Sequence, residues 1–418
     1  MRTKKRSLIA AGVMVGLVAG AAVVGLPGRA AAQLIGSDIP AAIVTFPIVR
    51  VSGDPVTDTY IQLANTSQTD VRAAQCFYIN GLGSCSTSGA ACLVNFDCPG
   101  GLAGEQCIPN WVENNFFIDF TPQQPLGWQA STGLTFLPCD PTQIGQGSQP
   151  TCGTGNDSNG QGGVPSVDAP FVGFLTCVSI EGINDSTPSP TNDLIGTATV
   201  ITADPLDTYT YNGIGIQSNG VQTADNHLCL GGAADTTCPD AEYASCPQTL
   251  ILNHLFDGEG PGIAVQTRLS LIPCTQLEAP RPDHQAPDVV PTTAQFLIFN
   301  EFEQKTSTST RVSCYTDLLL SDIDTRPSFP GDNTNSVFSL AVQGTLGGQT
   351  RIRGVSTTEG DVGHGLLGVA VQQLAFGFRS QQQVIGGSSS AVNLNFTGVR
   401  AQPDVICTAP GACEASEL

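Results

Sequence analysis

The sequence predicts an all-β protein of two tandem, duplicated β-sandwich domains, Ig-like or jelly-roll-like, with a disulfide-rich insert in the first. Short segments of alternating apolar and polar residues recur along the chain, and Gly, Pro, Asn or Asp bound each of them. Only 12% of the residues are charged, whereas 47 are Gly and 28 are Pro, a composition typical of strands joined by many turns. No stretch has the periodicity of a long amphipathic helix.

The first 32 residues have the pattern of a secretory signal peptide. Four cationic residues precede an apolar run over 8–26, and Ala30-Ala31-Ala32 supplies the small residues of a cleavage site before Gln33. The alternative is a retained membrane anchor, because the run approaches spanning length. The small residues favour cleavage, and no later segment is apolar and long enough to span a bilayer. We therefore expect an exported mature chain without a membrane span.

The strands are predicted from their alternation, and the two halves of the chain repeat similar segments. The segment "FIDFTPQQPLGWQ" at 117–129 aligns with "VFSLAVQGTLGGQ" at 337–349, and "DLIGTATV" at 193–200 aligns with "GLLGVAVQ" at 365–372. Cys76, after "IQLANTS", occupies a position like that of Cys314, after "LIFNEFEQ". The predicted domains are 33–225, with an insert at 84–108, and 226–418, with a cysteine-stapled C-terminal tail.

All 15 cysteines follow the signal segment, where oxidising conditions permit disulfides. The insert holds Cys85, Cys92, Cys98 and Cys107 without any C-x2-C pair or nearby His, so a zinc or redox site is disfavoured and two disulfide bonds are expected. The spacing leaves their connectivity open.

The other cysteines are assigned to pairs as hypotheses, and one of three remaining cysteines is expected to be unpaired. The pairs are Cys76 with Cys177, Cys139 with Cys152, Cys274 with Cys314, and Cys407 with Cys413; the three remaining residues are Cys229, Cys238 and Cys246.

The mature chain is strongly acidic. Removing the five cationic residues of the first 32 positions leaves 11 Lys and Arg against 36 Asp and Glu, a net charge of about −25. Nucleic acid and anionic membrane surfaces are poor partners for such a chain as a whole, because both repel it.

Catalytic motifs are not found. The four histidines lack metal-ligand spacing, and no G-x-S-x-G element or Ser/His/Asp set is recognisable. Glu113 and Asp119, near two tryptophans, are the residues considered for a glycosidase-like carboxylate pair, although solvated strand residues are favoured. No cofactor is predicted; calcium remains open at the Asp- and Asn-rich loops 155–163 and 321–335.

Several segments resemble blocks found in secreted proteins of environmental bacteria, particularly deltaproteobacteria, for which no activity is established. These segments are "DTYIQLANTS", "FFIDFTPQQPLGW", "CPQTLILNHLF", "EFEQKTSTSTRVSCYTDLLLSDID" and "VQGTLGGQTRIRGV". The resemblance implies a secreted β protein and adds nothing about catalysis.

The predicted function is that of an exported, non-enzymatic structural or adhesive protein in the periplasm, at the cell surface or in the extracellular space. Expected partners are further copies of the chain, other surface proteins or glycans. One alternative is a carbohydrate-binding module in which Trp111, Trp128 or Tyr211 stacks on sugars, and the other is a secreted hydrolase with an unrecognised carboxylate site.

Overall fold

Antiparallel strands make up almost all of the regular structure, which confirms the predicted all-β, sandwich-like class. The computed structural model describes residues 35–54, 56–93, 98–99, 105, 107–108, 113–133, 164–182, 185–203, 206–222, 227–231, 241–260, 263–276, 292–325, 335–356, 363–379, 383–400 and 402–407. Within these ranges the α-helical structure is a single turn, α1 (Leu340–Gln343). The signal segment therefore lies outside the described residues, and its cleavage stays a prediction.

The first half of the chain forms one large sheet that folds over on itself. Its strands, together with those of the insert, are β1 (Ile35–Gly36), β2 (Ile43–Gly53), β3 (Val56–Asn65), β4 (Arg72–Asn80), β5 (Gly83–Cys85), β6 (Ala91–Cys92), β7 (Cys107–Ile108), β8 (Glu113–Phe120), β9 (Pro125–Gln129), β10 (Phe171–Gly182), β11 (Asp185–Pro188), β12 (Leu194–Ala203), β13 (Leu206–Asn212) and β14 (Ile214–Ile216).

The order across this sheet is β13-β12-β3-β2-β10-β4-β8. Strands β2 and β3 pair only at their shared hairpin end, so the sheet turns there into two facing layers. Strands β2, β4 and β10 are buried along nearly their whole length, whereas β3 alternates between buried and less buried residues. The alternation predicted β3 directly, because one of its faces packs on the core while the other faces solvent.

The second half forms two five-stranded sheets and a short ladder. Its strands are β15 (His227–Leu230), β16 (Pro247–Leu255), β17 (Gly258–Gly260), β18 (Ile263–Pro273), β19 (Thr292–Asn300), β20 (Lys305–Val312), β21 (Thr316–Leu319), β22 (Gly347–Val355), β23 (Leu366–Arg379), β24 (Gln383–Asn393), β25 (Asn395–Val399) and β26 (Asp404–Cys407). One five-stranded sheet has the order β20-β19-β22-β16-β25, the other has β17-β18-β23-β24 with β21 beside β18, and β15 pairs with β26.

The adjoining segments 269–273 of β18 and 366–371 of β23 are buried on both faces. Leu269 and Leu271 of β18 belong to the core of the second half, whereas Ile272 packs in the core that extends from the first half. On β23, Leu366 and Ala370 pack in the core of the second half, whereas the side chains of Leu367, Val369 and Val371 pack in the core that extends from the first half. This double burial explains the nearly continuous apolar runs of these two strands, which a sheet with one wet face would not need.

Strand pairing follows the two halves, whereas the core does not. Within the described residues, every extended ladder joins strands of the same half, and an isolated bridge links Ser218 with Tyr243. Residues Gln33–Leu418 form one compact unit because the first core also includes side chains from β18 and β23. The boundary at 225/226 stays a prediction.

Two asparagines have matching roles in the two halves. The side-chain oxygen of Asn65, at the end of β3, accepts the N–H of Ser67, and its amide donates to the carbonyl of Thr121, four residues before β9 begins. Asn300, at the end of β19, accepts the N–H of Phe302 and donates to the carbonyl of Gln343, four residues before β22 begins. The duplication of the two halves stays a prediction.

The structure resolves the cysteine pairing in part. Cys76 and Cys177 lie opposite each other on β4 and β10 and form the predicted disulfide, and the insert contains the two bonds Cys85–Cys98 and Cys92–Cys107. The predicted pair Cys274–Cys314 is wrong: Cys274 is bonded to Cys246, and Cys314 is a buried free thiol.

The free thiol found in the described part of the chain, Cys314, is not one of the three residues to which the unpaired thiol was assigned from sequence. Cys246 is bonded to Cys274, and Cys229 is also in a disulfide. Cys238 lies outside the described residues, as do Cys139, Cys152 and Cys413. The pairs Cys139–Cys152 and Cys407–Cys413 stay predictions.

Candidate interaction surface

The aromatic residues predicted to stack on sugars are core residues wherever the structure describes them. Trp128 is fully buried between the layers of the first sheet, and its indole N–H donates to the Tyr78 hydroxyl at 2.6 Å. Tyr211 is also buried, and its hydroxyl bonds the backbone N–H and carbonyl of Ile48. Neither ring is accessible to a ligand, so these two assignments are wrong; Trp111 lies outside the described residues.

The two carboxylates considered for hydrolysis are too far apart to act together. Glu113 and Asp119 lie on the same face of β8, six residues apart, which corresponds to about 20 Å along a strand. A glycosidase pair needs a separation of about 5–9.5 Å. Partial burial raises the pKa of both residues. They are therefore separate strand residues.

His254 is held inside the second sandwich by two hydrogen bonds. Its Nδ1 lies 3.1 Å from the carbonyl of Leu255 and its Nε2 lies 2.8 Å from the Thr350 hydroxyl. A carbonyl can only accept, so Nδ1 carries the proton and Nε2 accepts from Thr350. The ring also packs edge-on against Phe256, with ring centroids 5.1 Å apart. This environment is that of a neutral structural histidine.

Replacing His254 by Gln is expected to flatten the dependence of stability on pH between pH 6.5 and about 4. Burial lowers the pKa of His254 from 6.5 to about 4, so the unfolded chain binds the proton more readily. The contribution is present above pH 6.5 and is lost as the pH falls, by about 3 kcal/mol in total. Urea unfolding of the wild type and the variant at several pH values measures the difference.

The comparison with the variant is needed because a second buried group acts in the opposite direction. Burial raises the pKa of Asp257 to about 7, although its carboxylate accepts the N–H groups of Thr267 and Ser321. Its effect is common to both proteins and cancels in the difference between them. A gap between wild type and His254→Gln that is constant from pH 7 to pH 4 would contradict the buried, neutral state of His254.

The remaining described histidine side chain, His364, lies beside a buried acid. Its Nδ1 is 3.5 Å from Asp404, which also lies 2.9 Å from Nε of Arg400 and accepts the N–H of Gly365 at 3.0 Å. His364 and Asp404 are both buried, and the Thr292 hydroxyl accepts the N–H of His364. The cluster connects β26 to the segment before β23.

Of the loops considered for calcium, 155–163 lies outside the described residues. In the described part of 321–335, the two oxygens of Asp324 accept hydrogen bonds from the Ser336 hydroxyl and from the N–H of Val337. Calcium binding at these loops stays untested.

A cationic surface was not identified from the sequence. It is the outer side of the sheet β20-β19-β22-β16-β25, whose inner side packs in the core through Phe296, Ile298 and Ile352. Four cationic side chains stand exposed on this outer side: Lys305, Arg311, Arg351 and Arg353. We call the outer side of these five strands the cationic face.

Strand register fixes the neighbours on the cationic face. Arg351 lies in one row with Ser307, Leu297 and Ile251, and Arg353 lies in the next row with Ser309 and Gln295; Lys305 shares a row with Phe299 and Gln349. None of the residues in these rows is acidic. The side chain of Arg351 lies over the ring of Phe299 at 5.5 Å, and Nε of Arg353 donates to Gln295 at 2.8 Å.

The cationic face differs from the other described cations of the chain. Arg50, Arg72, Arg268 and Arg400 each form an ion pair with an aspartate. Arg351 instead contacts an aromatic ring, and Arg353 contacts an amide. Neither partner carries a negative charge, so neither contact neutralises the guanidinium group.

The sequence contains the signal for this surface. In "KTSTSTR" and "RIR", the positions of the two cations differ by an even number, six and two, and a strand places such residues on one face. Four of the 11 cations of the mature chain lie in these two segments.

Comparisons with known proteins identify no family for this chain. No family model and no curated protein matches it. Among solved structures, one comparison is with the CupB6 tip adhesin from Pseudomonas aeruginosa, at 11% identity over 88% of this chain and 99% of that chain, with a TM-score of 0.11. A TM-score this low carries no argument about the fold or the function.

Proposed function

We propose that the protein is exported and acts outside the cell as a non-enzymatic structural or adhesive protein. The observation that carries the proposal is the set of disulfides: four bonds lie wholly within the described residues, in both halves and in the insert. Structural disulfides persist in oxidising compartments and are rare in the cytosol. The predicted signal segment provides the route to such a compartment.

The geometry supports a structural role more than a catalytic one. The acids and histidines with the strongest burial, among them Asp257, His254 and Asp404, are bonded to backbone groups or neighbouring side chains of the fold. Within the described residues, no helix combines the length and the apolar character needed to cross a membrane. The alternative function, sugar binding by stacked aromatic rings, is weakened because two of its three candidate residues, Trp128 and Tyr211, lie in the core.

Fractionation of cells that produce the tagged chain tests the proposal. We expect the protein outside the cytoplasm, and we expect proteinase added to intact cells to remove the surface-attached portion. A variant with Val15→Arg and Val18→Arg, which interrupts the apolar run, serves as the control and should stay in the cytoplasm. Recovery of the unaltered chain from the cytoplasm, in the same amount as the control, would refute export.

A further inference from the structure

We propose that the cationic face binds an anionic polysaccharide, of the class whose sugar units carry carboxylates. The inference adds a partner to the proposed function and depends on it only for the location outside the cell. Binding itself is a property of the purified chain and is tested separately from export.

The spacing of the charges suits an extended polymer. Arg351 and Arg353 are two residues apart on β22, which places their backbones about 7 Å apart on one face. Lys305 and Arg311 lie on β20, two strands away, at about 10 Å across the sheet. The four cations thus border a strip of the sheet along which a chain with regularly spaced carboxylates can contact several of them in turn.

The charges are local in an otherwise acidic molecule. At physiological ionic strength, interactions between exposed charges fade beyond about 8 Å. A carboxylate lying on the cationic face therefore interacts more strongly with Arg351 and Arg353 than with acids farther away, to which the mature chain owes its net charge of about −25. Glu301 and Glu303, in the turn between β19 and β20, place negative charge beside Lys305, so the cationic part of the strip ends there.

The side chains around the cations match the rest of a sugar unit. A guanidinium group presents several N–H donors in one plane, which fits the two oxygens of a carboxylate. The contacts of Arg351 with Phe299 and of Arg353 with Gln295 restrict the orientation of the two guanidinium groups. Hydroxyl and amide groups stand between and beside them, where they can exchange hydrogen bonds with sugar hydroxyls: Ser307, Ser309, Gln295, Gln349 and Asn253.

The same features disfavour nucleic acid. Duplex DNA carries one charge per about 1.7 Å, far denser than cations about 7–10 Å apart. Single strands are bound mainly by stacking on exposed aromatic rings. The ring of Phe299, on the face, is only partly exposed and lies under Arg351. The exposed ring of Phe302, in the turn at the end of the strip, lies between Glu301 and Glu303, whose charges repel phosphates.

Binding of polygalacturonate to the purified mature-length protein tests the inference. Titration calorimetry at low ionic strength should detect binding of polygalacturonate and none of neutral dextran, and about 0.5 M salt should abolish it. Arg351→Gln with Arg353→Gln should weaken the binding about tenfold, because the polymer loses two of its contacts at once.

The matched control is Gln62→Glu with Thr208→Glu. Both residues are exposed on strands of the first half, and the pair changes the net charge by the same amount as the arginine replacements. The control should bind polygalacturonate as the wild type does. Equal weakening in both double variants would show that only net charge matters, and would overturn the assignment to the cationic face.

Three further outcomes would overturn the inference. These are the absence of binding to polygalacturonate, equally tight binding of duplex DNA, and self-association that the arginine replacements abolish, which would make a second copy of the chain the partner. Each of them leaves the result of the fractionation experiment untouched, so failure of the partner and failure of export are distinguishable.

Discussion

Replacing Cys76 and Cys177 together by alanine is expected to lower the free energy of unfolding by about 4–5 kcal/mol. The bond joins residues 101 positions apart, and cross-linking a loop of this length restricts the unfolded chain strongly. Both cysteines are fully buried at the pairing of β4 with β10, two of the central strands of the first sheet. Equilibrium urea unfolding of the oxidised proteins, followed by tryptophan fluorescence of the buried Trp128, measures the change.

The insert supplies the matched control. Cys85–Cys98 closes a loop with a separation of only 13 residues, and the insert cysteines pack in a cluster of their own. Cys85→Ala with Cys98→Ala should therefore leave the main unfolding transition within about 0.5 kcal/mol of the wild type. If the Cys76 and Cys177 replacements changed the main transition no more than this control, the pairing of β4 with β10 would be in doubt.

Replacing Asp317 by Asn is expected to cost about 3 kcal/mol. Asp317 is buried on β21 and binds the guanidinium group of Arg50 on β2, and one of its oxygens lies 3.5 Å from Nη1 of Arg268 on β18. Asparagine removes the charge that holds the two cations together, and a buried ion whose partner is removed is costly. The contact connects strands of the two halves, so the loss should be seen in thermal and urea unfolding of the whole chain.

A double variant separates the effect of the buried charge from the effect of side-chain packing at Asp317. Arg50→Met with Asp317→Met replaces the ion pair by apolar groups and should recover much of the lost stability. Asp38→Asn, at an exposed site, is the control and should change stability by no more than about 0.5 kcal/mol. A cost for Asp317→Asn as small as that of Asp38→Asn would contradict the buried contact between the halves.

The fold class was predictable because alternation is a local property. Strand β3 shows it directly, with Ile61 and Leu63 buried and Gln62 exposed between them. The role of β18 and β23 was not predictable, because a continuous apolar run shows that both faces are buried but not which layers cover them. Whether the two halves share a core depends on which layers cover these two strands.

The disulfide bonds were likewise predictable from the sequence only in part. Cys76 and Cys177 lie on strands recognisable from the sequence, and the structure places them opposite each other. The partner of Cys274 depends on how the segment before β16 reaches the end of β18, which spacing cannot show. The chain therefore pairs Cys274 with Cys246 and leaves Cys314 in the core.

Among the site predictions, the aromatic residues failed because sequence does not report exposure. Leu126 and Trp128 are two positions apart on β9, and both side chains point into the core. An amphipathic ring with a satisfied N–H is as stable there as on a surface, since Tyr78 accepts its hydrogen bond. The even spacing of the arginines and the lysine predicts one face for each strand, but the cationic face could be recognised only once β20 and β22 were known to lie in one sheet with β19 between them.

The most direct test of an exported, disulfide-locked protein is the intact mass of the chain recovered from outside the cytoplasm, after labelling with a thiol reagent. In denaturant without reductant we expect loss of residues 1–32 and one label, on Cys314, with the other 14 cysteines protected as disulfides. In the native protein we expect no label, because Cys314 is buried and burial raises the pKa of its thiol. A full-length chain carrying many labels in denaturant would contradict the account.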